Sequence, residues 1–115
     1  MYQFSYADIL TDDAGDARAR ERQALDQVVA LLRHAADGAP GSAAEVRALE
    51  FTTELWALFI RDLAHPGNAM PDGLKAGLMS TGLGVMAECG RIATGASRDL
   101  DELADICAII RDGLN

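Results

Sequence analysis

The sequence predicts an all-α fold, a single-domain bundle of about four helices across residues 1–115 with an extended N-terminal segment. Three observations predict it. Half of the residues are hydrophobic, yet Ala and Leu abound while β-branched and aromatic types are scarce, a mix that favours helix over sheet. Three stretches rich in Gly, Pro, Ser and Asn divide the chain: DGAPGS at Asp37–Ser42, HPGNAMP at His65–Pro71 and GASRD at Gly95–Asp99. Between them the apolar residues repeat at helical spacing, near residues 15–37, 43–65, 72–94 and 100–113. A chain of 115 residues is long enough to close one hydrophobic core without disulfide staples.

The chain begins MYQFSYADIL, and Tyr2, Phe4 and Tyr6 are three of its six aromatic residues. Burying three aromatic side chains is worth about 1.5–3 kcal/mol each. Ordering six backbone residues costs about 1–2 kcal/mol each, so the two sums nearly cancel. The segment is expected to lie along the bundle as a marginal strap, either a fixed part of the core or one that shifts when a partner docks.

The first helix carries a narrow apolar stripe of Leu25, Val28, Val29, Leu32 and Ala36, with Asp26, Arg33 and His34 facing away. Arg18, Arg20 and Arg22 are interleaved with Asp16, Glu21 and Asp26, which predicts local ion pairing. The second helix starts at a capping-box pattern, Ser42 with Glu45. It is apolar on two sides. Val46, Leu49, Trp56, Ile60 and Leu63 form one face, and Phe51, Leu55, Leu58 and Phe59 another, which predicts a central helix with Trp56 in the core.

The third helix has a core stripe of Leu74, Leu78, Val85, Cys89 and Ile92. On another side Met79, Leu83 and Met86 line up with Gly90, either packed on the second helix or open as an adaptable docking surface. Gly95 is placed to stop this helix. The fourth starts at a second capping-box pattern, Asp99 with Glu102, and ends near Gly113. It buries Leu100, Leu103, Ile106, Cys107, Ile110 and Leu114 and turns Asp101, Glu102, Asp105 and Asp112 outward, expected as a solvated face.

Composition narrows the function. A net charge of −8 disfavours nucleic acid and anionic membranes, whose affinity depends on clustered Lys and Arg. The N-terminus has no basic flank or unbroken apolar core of the signal-peptide kind, and the longest strongly apolar run, Leu55–Ile60, is too short to span a bilayer. Cys89 and Cys107 lack metal-ligand spacing, so a reduced, cytoplasmic protein is expected. The string GLGVMA, Gly82–Ala87, matches a dinucleotide fingerprint in letters only. That fingerprint requires a preceding strand and a turn, whereas here the helical pattern runs through the glycines. The two histidines have no nucleophile partner at a telling distance, and no catalytic residue, cofactor or metal ligand is predicted.

Several strings in order carry a resemblance. MYQFSYADIL, RARERQALDQVVALL (Arg18–Leu32), LWALFIRDLAHPGNAMPDGL (Leu55–Leu74) and IIRDGL resemble FlaF, the flagellar biosynthesis regulator family of alphaproteobacteria, over nearly the whole chain. The resemblance implies a cytoplasmic, non-enzymatic protein that binds flagellin, supports its synthesis and export, and works alongside an FlbT-type regulator acting on flagellin mRNA. The position of Gly84 departs from the family, which often has a large side chain there, commonly Trp. Direct binding of flagellin mRNA is the alternative function, and the acidic charge opposes it. A homo-oligomeric scaffold is a third reading. The residues expected to contact flagellin are Tyr2, Phe4 and Tyr6 together with Met79, Leu83 and Met86.

Overall fold

In a computed structural model the described residues are 14–114, and they form α1 (Ala14–Ala36), α2 (Ala43–Ala64), α3 (Asp72–Ala93) and α4 (Leu100–Gly113). No strand occurs among them. The fold is all-α, as the composition and periodicity predict. The extended segment, with Tyr2, Phe4 and Tyr6, lies outside the described residues.

The loops end the helices by identifiable hydrogen bonds. Gly41 takes the left-handed conformation, φ +74°, that brings the chain into α2. The Ser42 hydroxyl then accepts the Glu45 N–H at 3.2 Å. The Glu45 carboxylate returns to the Gly41 N–H at 2.8 Å, so the box closes one residue upstream of its usual partner. Asn68 organises the next turn, accepting the Met70 N–H at 2.9 Å through its side chain and the Lys75 ammonium at 2.6 Å through its carbonyl. At the end of α3, Gly95 has φ +82°, with Gly95 N–H donating to Ile92 O at 3.1 Å and Ala96 N–H to Arg91 O at 2.9 Å. This is a Schellman stop.

Two expected caps take other forms. Asp99 makes no side-chain cap bond. Its own N–H donates to Ser97 Oγ at 3.2 Å, which sets φ and ψ at −79° and 48°, and α4 starts without the box. Gly113 is the last helical residue rather than a left-handed stop. The extended Leu114 follows it and donates to Arg111 O at 3.3 Å.

The helices pack in the spatial order α4–α1–α2–α3, with the closest association between α1 and α4 and almost none between α3 and α4. Helix α2 is therefore not the sole centre; α1 shares that place. The reason is charge as well as shape. Arg33 reaches Asp105 at 2.9 Å and Asp101 at 3.5 Å, and Arg111 reaches Asp26 at 2.8 Å. Half of the acidic face of α4 thus pairs across to α1 instead of only meeting solvent. Such exposed pairs contribute about 0–1 kcal/mol each, so they orient the helices more than they hold them. Arg18 does pair locally with Glu21 at 3.2 Å, but Arg22 donates to the Leu114 carbonyl at 2.8 Å, capping the far end of the chain.

Leu25, Val28 and Leu32 of α1, Trp56 of α2, and Leu100, Leu103 and Cys107 of α4 are buried together. Trp56 is fully enclosed, with Phe59 edge-on at a centroid distance of 5.5 Å. Its indole N–H finds no hydrogen-bond partner of good geometry, and the Cys107 thiol is the polar group it meets. Packing compensates. A Cβ at Gly82 would stand 2.7 Å from Trp56 Cε3 and 3.1 Å from Ile60 Cδ1, so α3 lies on the indole only because Gly82 has no side chain.

This contact makes opposite predictions for two glycines two residues apart in α3. Gly82→Ala should destabilise by about 1–3 kcal/mol through overpacking, although Ala is the better helix former by about 1 kcal/mol. Gly84→Ala, with open space above it, should stabilise by up to about 1 kcal/mol. Trp56→Ala should lose about 3–5 kcal/mol. Urea denaturation monitored by circular dichroism reads all three. A neutral Gly82→Ala would mean that the indole does not support the backbone of α3.

Candidate functional site

Exposed large apolar side chains mark where the bundle is unfinished. Among the described residues these are Val46, Leu58, Leu74, Leu83 and Ile109. Val46, Leu58 and Leu74 were expected on packed faces. They are exposed because α3 has a close neighbour on one flank only, and α2, although it lies between α1 and α3, keeps a further side to solvent, so each apolar face exceeds what the bundle can cover. Ile109 stands outside the apolar stripe of α4 and has no signal in the periodicity of that helix.

The Met79–Leu83–Met86 stripe is split by depth. Met86 is half-buried and packs against the core, Met79 is half-buried, and Leu83 is 58% exposed. The stripe is therefore a surface with an anchored base and a free crest. Its expected companions Tyr2, Phe4 and Tyr6 lie outside the described residues. Gly90 continues the line and is also exposed.

Between α3 and α4 the thin packing leaves a groove of about 400 Å³, floored by Val85, Leu103 and Ile106. Its walls are Thr81, Gly84, Glu88, Asp99 and Glu102. At about 100° per residue, these α3 residues point nearly opposite to Met79, Leu83 and Met86. Helix α3 thus presents two surfaces back to back. The groove was not legible from sequence, since Val85, Leu103 and Ile106 read there only as core.

Among the described residues, the groups with possible chemistry lie apart. Among the described residues no three His, Cys, Asp or Glu side chains gather as a metal site. His34 is exposed, and GLGVMA lies in the middle of α3, where no phosphate-cradling turn forms. Both cysteines are buried. Burial pushes each thiol up, opposed by a hydrogen bond with Thr53 at Cys89 and by Trp56 at Cys107, so neither is poised as a nucleophile. Near the start of α1, Arg18, Glu21, Asp62 and Asn68 line a cavity of about 20 Å³, room for about one water.

Burial raises the Glu21 carboxyl above its ordinary value; Arg18 opposes this and Asp62 adds to it. The folded state therefore holds this proton more tightly than the unfolded chain does. Its contribution to stability is present below the ordinary carboxylate range and is lost as pH rises through the raised value. Glu21→Gln should accordingly raise the melting temperature at neutral pH and leave it unchanged in acid. Thermal melts at both pH values check this, and an equal gain at both would assign the effect to packing instead of charge.

The family model described as "Flagellar protein FlaF" matches residues 2–114. No curated protein and no solved structure matches the chain.

Proposed function

The chain belongs to the FlaF family of flagellar proteins, and from that premise we propose that it binds flagellin in the cytoplasm and supports its synthesis and export without catalysing a reaction. The observation that carries this reading is the crest of α3. Leu83 is 58% exposed between two half-buried methionines, one turn apart on either side. Methionine is unbranched and polarizable, so such a face can adjust to an amphipathic segment laid along it, in the helix-in-groove mode. Flagellin before assembly offers segments of that kind at its ends. The net charge of −8 keeps the holder soluble and away from nucleic acid, which leaves mRNA contact to an FlbT-type partner.

No described helix is long and apolar enough to cross a membrane, which accords with a protein that meets its client before export. The proposed contact also includes Tyr2, Phe4 and Tyr6, which lie outside the described residues, together with Met79, Leu83 and Met86.

Leu83→Glu is the direct test. The exposure of Leu83 predicts that the variant folds with unchanged helix content and loses most flagellin in a pull-down from cytosol. Normal folding with undiminished capture would remove the crest from the contact. The alternative, direct binding of flagellin mRNA, predicts tight and sequence-selective gel shifts by the isolated protein at physiological salt. The acidic charge predicts weak, non-selective ones instead.

A further inference from the structure

We propose that the α3–α4 groove is a second docking site, which takes one amphipathic helix of a partner protein, apolar along one stripe and bearing Lys or Arg on both margins. It lies on the flank of α3 opposite Leu83 and does not depend on the flagellin reading.

The first support is the packing. Helices α1 and α4, α1 and α2, and α2 and α3 all associate closely, whereas α3 and α4 barely meet. The seam between them is apolar at its floor, through Val85, Leu103 and Ile106. It runs from Thr81 to Glu88 on one side and from Asp99 to Ile106 on the other, about two helical turns or 11 Å. That length matches apolar positions i, i+3 or i+4, and i+7 of one docked helix. Ile109, 69% exposed, extends the lip beyond Ile106 on the same flank of α4.

The second support is Gly84. A glycine inside a helix is unfavourable by its backbone entropy, and at Gly82 the close approach of Trp56 accounts for it. At Gly84, as at Gly73, Gly77 and Gly90 of the same helix, no atom lies within 4 Å of where a Cβ would stand, and of these four only Gly84 forms part of the groove wall. The missing side chain leaves a notch that admits a bulky group from an occupant.

Charge decides which occupant. The charged residues of the groove lining are Glu88, Asp99 and Glu102, all acidic. Glu88 is held by Arg91 and by the Ser97 hydroxyl. Asp99 and Glu102 have no ion-pair partner among the described residues. A second copy of this chain, at net charge −8, would bring like charge to an acidic seam, and RNA would do the same. A helix with cationic margins supplies partners to Asp99 and Glu102 on the α4 wall and sets its other margin against the acidic Glu88 on the α3 wall.

Two synthetic peptides of about 15 residues, long enough to hold helix across the groove, test this. They share one leucine stripe; one has Lys along both margins and the other Glu. Each is titrated into the full chain and followed by amide chemical shifts. The Lys peptide should shift Thr81, Gly84, Leu103 and Ile106, and the Glu peptide should bind at least about tenfold more weakly. Gly84→Leu puts a side chain into the notch, where the Cβ position has no atom within 4 Å, and should abolish binding with helix content retained. Glu102→Gln should weaken the Lys peptide by about two- to fivefold. Leu83→Glu should bind the Lys peptide like the parent protein, whatever it does to flagellin capture. The proposal is overturned if the shifts map elsewhere, if the Glu peptide binds as well, or if folded Gly84→Leu binds unchanged. Sedimentation showing self-association through this seam would overturn it too.

Discussion

The bundle depends on one contact, the Trp56 indole laid against the bare backbone of α3 at Gly82. Trp56 is the largest fully buried side chain and stands where α2 meets the interior shared with α1 and α4. The close seat at Gly82 brings Val85, Cys89 and Ile92 down onto the same core, and these account for most of what holds α3. An unbonded indole N–H is the cost of this arrangement, tolerable because the surrounding packing is dense and a soft thiol, Cys107, lies nearby.

The same contact explains why the molecule has an open side. By tying α3 to α2, it turns α3 away from α4, which is independently drawn to α1 by Arg33, Arg111 and the stripe of Leu25, Val28 and Leu32. Four helices in the order α4–α1–α2–α3 then leave a seam between the two outermost ones. Helix α3, with one flank on α2, is left with a free crest at Leu83 and a free wall at Gly84. In this acidic flagellar protein, α3 thus presents two separate apolar surfaces, set in a chain of net charge −8.

Much of this was legible residue by residue. The glycines at 41 and 95 sit where left-handed backbone is required, and Ser42 with Glu45 formed its box, because turn and cap chemistry acts over three or four residues. Asp99 with Glu102 has the same letters, but the Ser97 hydroxyl took the backbone N–H of Asp99 and changed the entry angle. Local chemistry predicts a cap only where no neighbouring side chain competes for it.

What the sequence determined by itself, then, was the set of four helices, their ends, and which stripe of each is most apolar, since all three follow from periodicity and short-range hydrogen bonding. It did not distinguish Gly82 from Gly84, two residues apart in one helix, nor Val46 and Leu74 from the apolar positions that are buried. Those differences arise from which helix lies against which flank. Periodicity states that a face is apolar, but the neighbour that covers it is chosen by packing over long sequence separations. Only the tertiary structure makes that choice, through the indole of Trp56 and the arginines that orient α4 on α1.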